Sequence, residues 1–240
     1  MSRKTQAPVI VVTGGTGVGK STAAEVFKRR GKARVVNVDR LSRRLLRPGE
    51  AAWREVIREF CGAVPAFQAL PLRKLVPGDF LDRSGKPLPE LPWVIHASGE
   101  IRRDKLGATV FTNAEALETL NRIMHPRLRK LLDLKIKLHR RLSRRPLVLD
   151  MAVYPARPFR GLGDAVLWVR APGGLRAQRL ADSKRLSLEE AAERIRLQWN
   201  DETFSNLADF VLPNLGSDAD LRHGAEEMWP KLLTQAEGEA

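Results

Sequence analysis

The amino-acid sequence predicts an α/β fold with a doubly wound, five-stranded parallel sheet. Five short runs are apolar at nearly every position, which is typical of strands covered on both faces by crossover helices. Helix-forming stretches separate the runs, as parallel connections require. The runs are residues 9–13, 34–39, 147–152, 165–171 and 209–214.

The first run, VIVVT, leads through a glycine-rich turn into a helix-forming stretch. Residues 14–21, GGTGVGKS, satisfy the P-loop pattern G-x-x-x-x-G-K-[ST] in its strand-to-helix context. Glycines let the backbone turn tightly and bring its N–H groups onto phosphate oxygens. Lys20 supplies a mobile cation, and the positive end of the following helix adds to the stabilisation of the anion. The pattern predicts a site for a nucleoside triphosphate.

Three polar side chains at the carboxyl edge of the predicted sheet point to chemistry with Mg²⁺. The Ser21 hydroxyl of the P-loop pattern is placed to ligate the ion. Asp150 ends the third run and is the natural second ligand, although an Asp after a strand is also a common turn former. Asp39 ends the second run, at the edge where α/β folds bind ligands. We therefore expect the γ-phosphoryl group and Mg²⁺ at this edge.

A helical insertion is expected between the second and third runs, because about a hundred residues far exceed what one crossover needs. Residues 60–100 are rich in Pro and Gly and are expected to be mostly loop with short helices. Asn113 can cap a helix through residue 124, and a second helix is expected after Pro126.

Capping motifs predict two further helices near the carboxyl end. Ser187 and Glu190 form a capping box before LEEAAERIRLQW. The helix after it is expected to present one apolar face, formed by Leu188, Ala192, Ile195 and Trp199. Ser217 and Asp220 open the last helix in a similar way.

Charge and composition narrow the class of partner. The 42 Lys and Arg exceed the 28 Asp and Glu by 14, so the surface attracts polyanions. The basic run HRRLSRRP at 139–146 fits a solvated helix end better than a nucleic-acid site, because only 6% of the residues are aromatic.

The single cysteine cannot form an internal disulfide, and no stretch approaches the roughly 18 apolar residues of a membrane span. We expect a cytoplasmic protein with small-molecule substrates and no membrane or nucleic-acid partner; nothing in the sequence predicts an oligomeric state.

Several segments, in their order and approximate spacing, resemble the dephospho-coenzyme A kinase family. They are VVTGGTGVGKSTAAEVF, VVNVDRLSRRLLRPG, IRRDKLGATVF, LNRIMHPRLR, LVLDMA, QRLADSKRLSLEEAAERIRLQ and ADFVLPNLGS. The resemblance covers residues 8 to about 233, except the stretch around 62–98. It implies a P-loop kinase fold with a small lid, and transfer of a phosphoryl group from ATP, with Mg²⁺, to the ribose 3′-hydroxyl of dephospho-coenzyme A, the last step of coenzyme A biosynthesis.

The resemblance also implies roles for individual positions. It makes Asp39 the candidate general base, with Lys20 and Arg103 as further catalytic residues. On the acceptor side it places Asp39, Arg103, His125 and Pro126, although His125 could instead cap a helix and Arg103 could be a surface cation. On the nucleotide side it places Gly15, Gly17, Val18, Gly19, Lys20, Ser21, Thr22 and Asn214. A lid begins with Gln178 and Arg179 and closes with Gln198.

The implied domains are a nucleotide-binding core of residues 1–59 and 144–240, with the lid at about 176–200, and a mainly helical acceptor-binding insertion of residues 60–143. The chain departs from the family's pattern at two notable positions. Asn37 replaces one of two paired acids, and Ser183 stands where a lid arginine is expected, followed by the basic pair at 184–185. A related P-loop kinase with another hydroxyl acceptor and a weakly catalytic nucleotide-binding protein therefore remain alternatives.

Overall fold

A computed structural model describes residues 6–61, 94–96, 98–110, 112–184 and 186–238, without the side chains at 61 and 184. The chain divides into two compact units, residues 1–39 with 132–240 and residues 40–131. The domains predicted from the sequence, a nucleotide-binding core and an acceptor-binding insertion, remain a prediction. Most of the stretch 60–100, predicted to be loop with short helices, lies outside the described residues. Where that stretch resumes, Ile95 pairs with Ile101 in an isolated antiparallel bridge.

The first unit contains a five-stranded sheet with the strand order β2-β3-β1-β4-β5. Every pairing between these strands is parallel, which confirms the predicted fold class. The central strands β1 and β3 are buried at every position, as expected for strands covered on both faces. The strands are β1 (Val9–Thr13), β2 (Arg34–Asn37), β3 (Leu147–Asp150), β4 (Ala165–Arg170) and β5 (Phe210–Pro213).

Nine helices accompany the strands within the described ranges: α1 (Lys20–Arg29), α2 (Val38–Leu45), α3 (Ala51–Cys61), α4 (Arg103–Val110), α5 (Ala114–Leu142), α6 (Gly173–Lys184), α7 (Leu188–Arg196), α8 (Asp201–Ser205) and α9 (Asp218–Gly238). In the first unit, α1 and α9 pack together, and Phe27 stacks on Trp229 with ring centroids 4.8 Å apart. The second unit has its own core around Trp53, whose indole N–H donates to the Gly99 carbonyl at 2.7 Å. Among the described helices, none has the length and apolar character that crossing a bilayer requires.

The second strand is shorter than the predicted run of residues 34–39. β2 ends at Asn37, and Val38 begins α2. Asp39 therefore lies in the first turn of a helix and not at the end of a strand. Val38 is buried whereas Asp39 is exposed, so the chain turns into a helix that hides the apolar side chain. A carboxylate is also favourable in a first helical turn, where the helix dipole is positive.

The predicted helix break at Pro126 is wrong, because residues 114–142 form one helix that contains it. Asn113 caps this helix as expected, since its Oδ1 accepts hydrogen bonds from the N–H groups of Glu115 at 3.0 Å and Ala116 at 3.1 Å. A proline inside a helix costs about 3 kcal/mol. Burial of apolar side chains on both sides of the proline offsets that cost: Ile123 packs into the second unit's core, and Leu128 is also buried.

Both predicted capping motifs are confirmed. Glu190 N–H donates to Ser187 Oγ at 3.1 Å while Ser187 N–H donates to the Glu190 carboxylate at 2.8 Å. Asp220 N–H donates to Ser217 Oγ at 3.2 Å, and Ser217 N–H donates to the Asp220 carboxylate at 3.0 Å.

The predicted apolar face of α7 is confirmed at Ile195, which packs against the cluster of α6 and α7, and is wrong at Leu188 and Trp199. Ala191 is its buried residue, whereas Leu188 is 54% exposed and Trp199, beyond the helix end, is 37% exposed. Ala191 packs against the small side chains Ala177 and Ala181 of α6. Small residues let two helices approach closely, so the buried face is set by size and not by hydrophobicity alone.

Candidate active site

The glycine-rich turn between β1 and α1 has a backbone shape that glycine favours. Gly14, Gly17 and Gly19 have φ values of 140°, 79° and 97°, which other residues rarely adopt. A Cβ on Gly14 would lie 2.4 Å from the Val169 carbonyl oxygen of β4. The loop backbone at Gly14 therefore lies against β4 with no room for a side chain. Gly19 immediately precedes the first turn of α1.

Lys20 is held across its own loop. Its ammonium donates a hydrogen bond to the Gly15 carbonyl at 2.7 Å. Burial lowers the pKa of Lys20, while the negative charges of Asp150 and Asp39 act to raise it. A cation at the P-loop therefore lies within electrostatic range of both carboxylates, Asp39 and Asp150.

Ser21 and Asp150 lie in direct contact. The Ser21 hydroxyl donates to Asp150 Oδ2 at 2.8 Å, and the Asn37 side-chain amide donates to the same oxygen at 3.0 Å. Asp150 is only 4% exposed, so its charge depends on these donors and on Lys20. Asn37, which stands in place of one of the family's two paired acids, thus orients the buried carboxylate of Asp150.

The Ser21 hydroxyl and the Asp150 carboxylate are oxygen donors of the kind that Mg²⁺ prefers. Within the described ranges, no group of three or more His, Cys, Asp or Glu side chains could form a metal cage. Mg²⁺ is usually held by one or two protein ligands together with substrate phosphates and water. The residues at this edge therefore fit Mg²⁺ bound with a nucleotide.

The predicted lid residue Arg179 and the predicted nucleotide-binding residue Asn214 both contact the P-loop. Arg179 of α6 donates to the Gly17 carbonyl at 3.2 Å and to Asn214 Oδ1 at 3.3 Å. Asn214, which is buried after β5, donates in turn to the Val18 carbonyl at 2.8 Å. Asn214, which follows the edge strand β5, therefore stabilises the loop backbone through this hydrogen bond.

Arg176 is a residue at the loop that the sequence reasoning missed. It is 8% exposed, and its Nε donates to the Thr16 carbonyl at 3.0 Å. Its Nη2 donates to Gln198 Oε1 at 2.8 Å. Burial lowers the pKa of Arg176, an effect opposed by Asp201, but an arginine side chain stays charged in proteins. The available signal was its position three residues before Arg179, on the same helix face.

Three of the four predicted acceptor-side residues, Arg103, His125 and Pro126, lie in the second unit, whereas Asp39 ends the first segment of the first unit. Arg103 is exposed at the start of α4 and lines an open cavity of about 350 Å³. We call this cavity the arginine pocket, since its lining includes Arg40, Arg43, Arg44, Arg47 and Arg103, beside Glu100. His125 and Pro126 lie on α5, and they are not among its lining residues in the described part of the chain. Burial lowers the pKa of His125, which favours the neutral form of the ring.

Comparison with known proteins identifies the family. The sequence profile described as dephospho-CoA kinase matches residues 8–71 and 91–220. The chain belongs to the dephospho-CoA kinase family. This membership confirms the resemblance found in the sequence and makes the chain a kinase, that is, a phosphotransferase. The two broader alternatives are not favoured.

Curated members of the dephospho-CoA kinase family align with nearly the whole chain. The Corynebacterium diphtheriae protein is 33% identical over 229 residues, which are 95% of this chain and 99% of the relative. The Chlorobaculum tepidum protein is 32% identical over 238 residues, which are 98% of this chain and 100% of the relative. The chain is therefore similar to whole family members and not to an isolated domain of them.

Solved structures show the same fold. TT1252 from Thermus thermophilus has a TM-score of 0.60 at 24% identity, covering 95% of this chain and 99% of that one. Dephospho-CoA kinase from Campylobacter jejuni has a TM-score of 0.53 at 22% identity, covering 94% and 97%. The sheet described above is thus the P-loop kinase sheet.

The lid departs from the pattern expected of a dephospho-CoA kinase. Ser183 is exposed, and its hydroxyl donates to the Leu180 carbonyl of its own helix at 3.2 Å. Gln178 also faces away from the loop and donates to Asp182 at 3.1 Å. The basic pair at 184–185, considered as a replacement for the lid arginine, lies outside the described side chains.

Proposed function

We propose that this kinase transfers the γ-phosphoryl group of ATP to the ribose 3′-hydroxyl of dephospho-CoA. The observation that carries the proposal is that an exposed carboxylate, Asp39, lies within electrostatic range of the P-loop cation Lys20. Both curated relatives described above are named dephospho-CoA kinases. A single cysteine fits a reducing compartment, and we propose the cytoplasm.

The proposed reaction has one chemical step. The acceptor's hydroxyl oxygen bonds to the γ-phosphorus while the bond from that phosphorus to the β–γ bridging oxygen breaks. Asp39 accepts the hydroxyl proton, and the bridging oxygen leaves with its electron pair as part of ADP. Lys20 and the loop N–H groups hold the β- and γ-phosphates. Most of the rate enhancement in such transfers comes from positioning and charge stabilisation.

We also propose Mg²⁺ as the cofactor, with Ser21 and Asp150 as the protein groups that hold it. When bound, Mg²⁺ neutralises charge on the β- and γ-phosphates. Asn37 keeps the Asp150 carboxylate oriented through its 3.0 Å hydrogen bond.

Ser21→Ala is expected to remove the preference of the protein for ATP with Mg²⁺ over ATP without it. Calorimetric titration of the wild type should show the Mg²⁺ complex bound on the order of tenfold more tightly, the size expected for one contact to a charged group. Ser42→Ala, on α2, is the matched control and should keep the full difference. Equal Mg²⁺ dependence in both variants would remove Ser21 from the metal site.

We assign the diphosphate of dephospho-CoA to the arginine pocket. Its lining carries five guanidinium groups against one carboxylate. Four of these groups form no hydrogen bond or ion pair with described residues, namely those of Arg43, Arg44, Arg47 and Arg103. Arginine binds phosphate oxygens through two parallel N–H donors. A group of five like charges beside a single acid is therefore suited to a dianion.

Arg43→Ala is expected to raise KM for dephospho-CoA about tenfold, since a hydrogen bond to a charged group contributes about 1.5–3 kcal/mol. KM for ATP should not change. The matched control is Arg58→Ala, which removes an exposed arginine of the same unit outside the pocket lining. Steady-state kinetics with each substrate varied in turn measures both constants. A KM for dephospho-CoA that is the same in both variants would contradict the assignment.

The proposed function is tested with a panel of hydroxyl acceptors. ADP release is measured with dephospho-CoA, adenosine and pantetheine, which separate the diphosphate-linked substrate from each of its halves. We expect kcat/KM to be highest for dephospho-CoA. Turnover of another acceptor with a higher kcat/KM would show that the altered lid belongs to a kinase of different specificity.

A further inference from the structure

One oxygen at the P-loop accepts hydrogen bonds from two converging donors. Gln198 Oε1 accepts from the Thr16 backbone N–H at 2.8 Å and from Arg176 Nη2 at 2.8 Å. The Gln198 amide nitrogen donates to Thr16 Oγ1 at 3.1 Å and to the Arg194 carbonyl at 3.3 Å. Because the Thr16 N–H and the Arg176 guanidinium are both donors, the carboxamide oxygen of Gln198, and not its nitrogen, must face them.

A loop N–H and a buried guanidinium that meet at one point form a binding position for an anionic oxygen. Backbone N–H groups of P-loops bind phosphate oxygens, and arginine supplies charge to the phosphoryl group in transfer. Gln198 Oε1 carries only a partial negative charge. A phosphate oxygen at the same point would satisfy the same two donors with a full charge, and would form stronger hydrogen bonds.

We propose that Arg176 is a catalytic residue, which binds the transferring γ-phosphoryl group at the position that Gln198 Oε1 occupies. In this role, Arg176 provides the positive charge that an arginine at position 183 would provide, where this chain has Ser183. The inference deepens the proposed function, on which it rests for the reaction but not for the identity of the acceptor.

The space next to Gly15 is filled by the side-chain ends of Arg176 and Gln198, which supports this role. A Cβ on Gly15 would lie 2.1 Å from Arg176 Nη2 and 2.7 Å from Gln198 Oε1. Gly15 is not among the positive-φ glycines, and the atoms that its Cβ would meet are the flexible ends of Arg176 and Gln198. Gly15→Ala therefore displaces both side-chain ends while Arg176 is still present.

The first experiment measures kcat and KM for ATP in Arg176→Ala, with Arg196→Ala as the control, because Arg196 is an exposed arginine on the lid helix α7. We expect kcat to fall on the order of 10²–10³-fold in Arg176→Ala, the range for one lost preorganised donor. Free guanidinium ion should restore part of kcat in Arg176→Ala and nothing in the control. Gly15→Ala should show the same loss, and the double variant should be no slower than either single variant.

The second experiment does not depend on the acceptor. Calorimetry compares the binding of ADP with that of ADP plus aluminium fluoride, which mimics the transferring phosphoryl group. The wild type should bind the mimic more tightly than ADP, and Arg176→Ala should lose this difference while binding ADP normally. Failure of the wild type to phosphorylate dephospho-CoA overturns the proposed function alone. An unchanged preference for the mimic in Arg176→Ala, or a loss of kcat that guanidinium does not rescue, overturns the role of Arg176.

Discussion

Lys20→Ala is expected to lower kcat/KM on the order of 10³-fold, the upper range for removal of one preorganised charged donor. Its ammonium already lies at the P-loop, 2.7 Å from the Gly15 carbonyl, so it has little distance to travel to reach bound phosphates. The two carboxylates that act on its pKa help keep it protonated. Without this cation, the charge on the β- and γ-phosphates lacks its protein partner during transfer.

The loss should not come from unfolding. Burial lowers the pKa of Lys20, so the unfolded chain binds the proton more tightly than the folded chain. The free energy of unfolding therefore rises as the pH rises through the folded-state pKa toward the ordinary lysine value. Lys20→Ala should lose this rise and keep the Tm of the wild type or exceed it at neutral pH.

The matched control for Lys20 is Lys28→Ala, which removes an exposed lysine from the last turn of the same helix. Stopped-assay kinetics and thermal denaturation on both variants separate catalysis from stability. Activity of Lys20→Ala equal to that of Lys28→Ala would contradict the role of the P-loop cation.

Asp39→Asn is expected to lower kcat by about 10²–10⁴-fold, the range for loss of a general base. Asparagine keeps the size of the side chain but cannot accept the hydroxyl proton. Asp39 is exposed in the first turn of α2, where a carboxylate contributes about 0.3–1 kcal/mol to stability through the helix dipole. KM for ATP should change little.

The pH profile distinguishes a base from a binding residue. In the wild type, kcat should fall at acid pH as the base becomes protonated, and Asp39→Asn should lack that limb. Asp218→Asn is the control, because Asp218 is also an exposed acid in the first turn of a helix, α9. An acid limb that survives in Asp39→Asn would assign the proton to another group.

The sheet and the P-loop could be predicted because their signals are local. Apolar runs mark strands buried on both faces, and the spacing of glycines before Lys20 marks the phosphate turn. The elements that were mispredicted depend on distant packing. Pro126 stays within a helix because side chains on both sides of it are buried, and β2 ends early because Val38 is buried in the turn of a helix.

The residues of the candidate site also fall into those that the sequence predicted and those that it did not. Ser21 and Asp150 are 129 residues apart, yet the sequence predicts both at the carboxyl edge of the sheet, because parallel strands bring their carboxyl ends to one edge. Arg176 and Gln198 carry no such signal, since their contacts with Thr16 depend on how α6 and the end of α7 approach the loop. The arginine pocket was also missed, because basic residues on a helix are usually solvated and only the structure shows them around one cavity.

The most direct test is mass spectrometry of dephospho-CoA after incubation with the protein, ATP and Mg²⁺, followed by fragmentation to locate any added group. We predict a gain of one phosphate on the ribose 3′-oxygen in the wild type, and none within the same time in Lys20→Ala. An unchanged mass with the wild type, or a phosphate elsewhere on the molecule, would contradict the proposed function.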